Sequence, residues 1–275
     1  MRQQNIPDQG DTSDGKVLQF GTARVRIYPS REALGIAAAN RAAELMRQAI
    51  EGHGKARVVV ATGNSQLNLI DALVLADLAW NRVEIFHMDE YVGMPPTHPS
   101  SFRRWIKTRI EDKVHPGVVN YMRGDAPDAE AEIERYSRLL LAEPIDLAFV
   151  GFGENGHIAF NDPHVAAFDD PAEVKRVSPD AMSRAQQAGE GHFATPELMP
   201  RDAFTMTCPA LFRAAAWVCS VPELRKAHAV QRALEGPISA SCPASIVRTH
   251  PNATVYLDCE SASLLSTPPA AKSRP

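Results

Sequence analysis

Residues 83–93 read VEIFHMDEYVG: a strand-like apolar run with two acids, Asp89 and Glu90, placed where the strand should stop. A buried strand ending on a carboxylate has two readings. Asp89 can accept hydrogen bonds from N–H groups of its own loop, the ordinary fate of a loop acid. Alternatively it can move a proton, provided burial and neighbours tune it. This stretch alone leaves both open.

Outward from it, similar runs recur. ARVRIY, ARVVVAT, VVNYM, IDLAFVGFG, AFTMT, AAWVCS and ATVYLD all read as strands. Longer helical patterns lie between them. Ser30 stands at an N-cap position before an Ala- and Leu-rich helix that should end near Gly52. LNLIDALVLADL predicts the next helix, and Ser100 is placed to cap another whose Phe102, Trp105, Ile106 and Ile110 share a face. Asp128 to Leu141 and Pro222 to Glu235 also read as helical. Strands that are apolar throughout suit a parallel sheet covered on both faces. The repeated β-α order therefore predicts a doubly wound α/β fold with a mainly parallel sheet.

The chain has 275 residues, 44% of them hydrophobic, enough for one sizeable core. Net charge is −4 with both signs interspersed, which gives no basic surface for nucleic acid or membrane. No apolar run approaches the roughly 18 residues of a spanning helix. The N-terminus lacks an apolar signal core, so a cytoplasmic protein is expected. Four scattered cysteines, Cys208, Cys219, Cys242 and Cys259, form no metal-type cluster and read as reduced, mostly buried thiols. Residues 1–20 and 266–275 are expected as a flexible arm and tail around a single domain, 21–265.

In such a fold ligands gather at the carboxyl ends of strands. Three unusual loops follow strands here. ATGNSQ (61–66) offers Thr62, Gly63, Asn64 and Ser65 as a phosphate cradle, although a plain strand-to-helix turn is at least as good a reading. No lysine follows the glycine as a P-loop would require. MDEYVG carries Asp89. GFGENGHIAFNDP (151–163) combines glycines with His157, an acid or base near neutral pH, and Asp162, which can orient it. Its glycines do not continue as a dinucleotide fingerprint.

Taken together, MDEYVG, GENGHIAFNDP and ELRKAHAVQRALEG resemble the glucosamine-6-phosphate deaminase (isomerase) family, from about residue 25 to 262. The resemblance implies a Rossmann-like fold and conversion of a 6-phosphorylated amino sugar to a ketose phosphate plus ammonia, without metal or organic cofactor. It implies that Asp89 is the base between C2 and C1, that His157 assists ring opening, and that Asp162 partners His157. Asn155 falls where the best-known enteric members carry an aspartate. Thr62, Gly63, Asn64 and Ser65 match the phosphate loop and Lys226 a phosphate-binding lysine. The family's lid arginine aligns near Gln187, with Arg184 close by. Residues 165–200 match the lid. Galactosamine-6-phosphate deaminase and 6-phosphogluconolactonase are the neighbouring activities. A non-catalytic sugar-phosphate-binding regulator is the alternative of another class, and a homo-oligomer stays open.

Overall fold

The computed structural model describes residues 16–266. In chain order the strands are β1 (Lys16–Phe20), β2 (Ala23–Tyr28), β3 (Ala56–Val60), β4 (Val83–His87), β5 (Asp89–Tyr91), β6 (Val118–Asn120), β7 (Leu147–Val150), β8 (Val174–Val177), β9 (Ala203–Met206), β10 (Ala216–Val221) and β11 (Ala253–Asp258). The main sheet has eight strands in the order β1-β2-β11-β10-β7-β3-β4-β6. Every neighbouring pair is parallel except β1 with β2. From β3 the chain builds outward through β4 to β6, then returns to β7 on the other side of β3 and continues through β10 to β11. The direction of winding therefore reverses between β3 and β7. That switch point opens a crevice at the strands' carboxyl ends.

Alternate residues of the central strands feed opposite cores, as the pleat requires. Val58, Val60, Leu147, Phe149 and Val218 pack with the helices Arg31–His53 and Leu67–Leu73. Val59, Ala148, Val150, Trp217 and Cys219 face Tyr136 and Leu140 of the helix Ala129–Leu141 and Val230 and Leu234 of the helix Ala227–Glu235. Both faces are covered, which is why these strands lack polar alternation. Ser30 starts the helix Arg31–His53 by accepting from the Ala33 N–H at 3.2 Å, and Gly54, at φ 89°, ends it. Gly35 lets that helix touch the next one, since a Cβ there would lie 2.5 Å from Asn68 Cβ.

A second, antiparallel sheet, β5-β9-β8, sits over the carboxyl edge of the first. It has its own apolar cluster of Tyr91, Met94, Phe102, Phe160, Val177 and Phe193. AFTMT, read as one more strand of the main sheet's kind, belongs here instead. The segment 165–200, which shows no strong period, holds β8, a helix Ala181–Gly189 capped by Asp180, and a turn of 3-10 helix at Pro196–Leu198.

Several boundaries differ from expectation for local reasons. Lys16–Phe20 is an edge strand rather than part of an arm, folded back on β2 through Gly21 (φ 59°). Its side chains are mostly exposed, so it carries no apolar signature. Residues 1–15 and 267–275, the rest of the expected arm and tail, lie outside the described residues. The helix expected through Leu78 stops at Leu73, where the Leu75 and Ala76 N–H groups turn to the Ala72 and Leu73 carbonyls. Ser101, not Ser100, caps the helix at Phe102; the Ser100 hydroxyl donates to the His192 carbonyl. The helix expected from Pro222 begins with a 3-10 turn, Leu224–Lys226, before Ala227. All four cysteines are free thiols, and Cys208, Cys219 and Cys242 are buried. No helix among the described residues is long and apolar enough to cross a membrane.

Candidate active site

The cleft lies where the ends of β3, β4 and β7 meet the small sheet. Its lining includes Thr62, Gly63, Ser65, Asp89, Gly151, His157, Gln187, Glu190 and Lys226. At the end of β3, Gly63 takes φ 141°, a backbone state reserved for glycine. The chain then enters a tight turn, Asn64–Gln66. The buried Gln66 amide reaches the Ser65 hydroxyl at 3.0 Å and the Ser220 carbonyl at 3.3 Å, tying this turn to the end of β10. Thr62 Oγ1 is buried with no hydrogen-bond partner among the described residues. Native structures rarely leave such an atom unsatisfied, so it is one mark of a ligand position.

Asp89 provides a second mark. It lies at the step from β4 to β5, and its Oδ1 is likewise buried without a partner among the described residues. Burial, reinforced by the neighbouring Glu90 carboxylate, pushes its carboxyl well above the usual range. The backbone is held by His87, whose Nδ1 donates to the Asp89 carbonyl at 2.8 Å. The tautomer follows because His87 Nε2 accepts from the Met122 N–H at 2.8 Å. Burial drives the His87 pKa down to about 4, so it holds this bond as a neutral ring. Glu90 points elsewhere. Its carboxylate accepts from the Tyr91, Phe102 and Arg103 N–H groups at 2.9, 3.2 and 2.9 Å and from the Ser101 hydroxyl at 2.8 Å. The two acids thus part company: Glu90 satisfies backbone N–H groups, chiefly those that open the helix at Phe102, and Asp89 faces the cleft.

His157 stands across the cleft. Its ring packs on Gly153, where a Cβ would come within 2.2 Å of it. Nδ1 lies 3.0 Å from Asp162 Oδ1 and 2.8 Å from Ser183 Oγ, which leaves Nε2 as the nitrogen free to meet a ligand. Asp162 also accepts from Asn155 Nδ2 at 2.9 Å, the Asp180 N–H at 2.8 Å and the Ser183 hydroxyl. Burial would raise this carboxyl, but the hydrogen bonds and charge of His157, with Asn155 and Ser183, hold it well below the usual range. Asn155 donates equally to Asp180 Oδ2 at 2.9 Å, and its oxygen accepts from the His157 N–H. An amide fits between two carboxylates; a third carboxylate there would face both. Asp162 and Asn155 therefore stand behind His157 rather than lining the cleft. Asp162, His164 and Asp180 present ligand-type atoms within 4.8 Å of one another. Asp162 and Asp180 already accept hydrogen bonds from neighbouring side chains and backbone, so this set reads as a hydrogen-bond network.

The segment 165–200 closes the far side. Gln187 lines the cleft, its Oε1 accepting from the Tyr91 hydroxyl at 2.8 Å. Arg184, the expected alternative lid cation, is turned away: its guanidinium donates to the Pro196, Met199 and Pro200 carbonyls at 2.8, 2.7 and 3.0 Å. Asn64, expected in the cradle, donates to the Glu190 carbonyl at 3.1 Å. The buried Lys226 does reach the cleft, with Nζ 3.5 Å from Glu190 Oε1. Burial pulls its ammonium below the ordinary range, against the pull of Glu190. Ser183, Glu190 and His87 escape a reading of the sequence because each has a deciding partner from a distant segment: His157 and Asp162 for Ser183, Arg225 and Lys226 for Glu190, and Met122 for His87. An acid three residues before Ser183, in a capping position, is a local cue for that residue.

A mostly parallel α/β sheet with a carboxylate, an imidazole and a lysine meeting at its switch point defines a Rossmann-like enzyme. Residues 29–256 match the family described as glucosamine-6-phosphate isomerases/6-phosphogluconolactonase, and the chain belongs to that family. A glucosamine-6-phosphate deaminase from Exiguobacterium sp. is 33% identical over 219 residues, 80% of this chain and 84% of that one. The one from Listeria welshimeri is 32% identical over 230 residues, 84% of this chain and 96% of that one. Among solved structures, a monomeric glucosamine-6-phosphate deaminase superposes with TM-score 0.78 at 28% identity, covering 88% of this chain and 99% of its own. A 6-phosphogluconolactonase from Thermotoga maritima shares the fold, with TM-score 0.71 at 20% identity over 86% of this chain and 99% of its own.

Proposed function

We propose that the protein converts a 6-phosphorylated 2-amino-2-deoxy sugar, glucosamine 6-phosphate first among candidates, to the ketose phosphate and ammonia. The observation that carries this is the meeting of Asp89, whose buried Oδ1 has no partner among the described residues, and His157, with Nε2 turned from Asp162 and Ser183, in one cleft lined also by Lys226. The named relatives support the same substrate class.

The chemistry follows from the groups present. His157 Nε2 exchanges the proton that opens the ring, while Asp162 and Ser183 fix its tautomer through Nδ1. In the open chain the C1 carbonyl acidifies the C2 proton. Asp89 takes that proton and returns it to C1. The resulting imine at C2 adds water and releases ammonia, leaving the ketose. A carboxyl raised above its usual range is a stronger base once ionised, which suits this transfer. Lys226, with Thr62 and Ser65, holds the phosphate, whose remote binding positions the sugar.

The test is an assay of ammonia and ketose phosphate over glucosamine 6-phosphate, galactosamine 6-phosphate and 6-phosphogluconolactone. Equal amounts of ammonia and ketose phosphate from an amino sugar are expected. Lactone opening without any ammonia release would replace this reading with the lactonase one. Binding without turnover of all three would replace it with a regulator.

A further inference from the structure

The anion end of the cleft already contains an anion. The Glu190 side chain is 5% exposed, and a single oxygen, Oε1, lies 3.5 Å from Lys226 Nζ and 3.2 Å from an Arg225 guanidinium nitrogen. Gln186 Nε2 donates to the same oxygen at 2.9 Å, while Glu190 Oε2 lies 3.7 Å from His192 Nε2. Arg225 is further flanked by Glu223 at 2.6 Å and Glu154 at 3.8 Å. No role in binding attaches to Glu190 or Arg225 in the reading above, which leaves the phosphate with Lys226 as its one named cation because Arg184 is engaged elsewhere.

We propose that Glu190 Oε1 holds the place of a substrate phosphate oxygen, and that phosphate entry displaces this carboxylate to take Lys226 and Arg225 together. This rests on the phosphate seat assigned above and adds two things to it. Arg225 becomes the second phosphate cation, supplied from the strand-to-helix turn rather than from the lid. Glu190 becomes a built-in competitor that occupies the seat beside both cations when no substrate is present. A dianion can displace it because phosphate offers more charge and more acceptor oxygens to the same two donors. A neutral sugar gains nothing from evicting Glu190, so the carboxylate also selects for phosphorylated substrates.

The experiment is calorimetric titration of inorganic phosphate into the parent, Glu190→Gln, Arg225→Gln and Lys226→Ala, paired with steady-state kinetics on the sugar phosphate. A seat filled by Glu190 about nine-tenths of the time lowers apparent affinity about tenfold, so Glu190→Gln should bind phosphate about tenfold tighter and lower KM. Arg225→Gln should raise KM by about tenfold or more with kcat little changed. Unchanged or weaker phosphate binding by Glu190→Gln overturns the competitor role, and an unchanged KM for Arg225→Gln overturns the second cation. Lys226→Ala separates these failures from that of the seat: it should lose phosphate binding, and if it binds as the parent does, the phosphate site itself is wrongly placed.

Discussion

Asp89 and Glu90 are chain neighbours, both buried, both with carboxyls raised above the usual range; Glu90 is satisfied by hydrogen bonds, whereas Asp89 Oδ1 has no partner among the described residues. Burying an unpartnered acid has a thermodynamic signature. Between the ordinary aspartate pKa and the raised one, the folded protein retains a proton that the unfolded chain releases, so stability falls as pH rises through that window. Asp89→Asn removes this penalty. The variant should melt above the parent at pH 8, with the gap closing as pH falls towards 4, while turnover drops roughly 10²- to 10⁴-fold. The parent's own activity should fall on the acid side at a pH above the ordinary aspartate range, since the base must be ionised. Asn155 offers the opposite experiment. Asn155→Asp places a carboxylate against Asp162 and Asp180, so it should melt below the parent at pH 8 and recover as the acids protonate. Equal melting across the pH range would mean that the amide is not needed between them. Asp89 and His157 were legible in the sequence because each follows a buried strand. The duty of Glu90 was not, because its partners at Ser101, Phe102 and Arg103 are brought to it by the fold.

The helix at Phe102 leans on a side chain from another element. Glu90, from β5, caps its first turn across the cleft wall and lies 3.5 Å from the buried Arg103. Glu90→Ala strands the Tyr91, Phe102 and Arg103 N–H groups and the Ser101 hydroxyl, while the Arg103 guanidinium keeps Asp125 at 2.8 Å, and at about 1–3 kcal/mol for each buried unsatisfied donor it should cost about 3–5 kcal/mol, read from urea unfolding. Gly153→Ala acts through geometry instead. Its methyl would meet the His157 ring, so turnover should fall sharply with stability less affected. The central strands were legible from their unbroken apolar character, and the capped helix Arg31–His53 from Ser30. β1 was hidden by its exposure, and β8 by its VKRV sequence, half polar at the rim of the small sheet. Short edge strands bury too little to leave a pattern.

Across the whole molecule, the reversal between β3 and β7 lays the loops after β3, β4 and β7 side by side and leaves the small sheet to roof them. The β-α order predicted this meeting of loops. It could not predict that residues 165–200 fold into that roof, because their partner strands β5 and β9 come from either side in sequence. If the roof acts as a lid, a sugar phosphate should slow amide hydrogen exchange in 181–189 together with 61–66; slowing confined to 61–66 would mean that substrate binds without engaging it. The most direct test of the central claim follows the substrate's C2 proton by NMR in deuterated solvent, in the parent and in Asp89→Asn. The parent should exchange this proton and carry solvent deuterium to C1 of the ketose phosphate, and the variant should lose exchange by the same factor as turnover. Exchange at the parental rate in Asp89→Asn would contradict the assignment of Asp89 as the base.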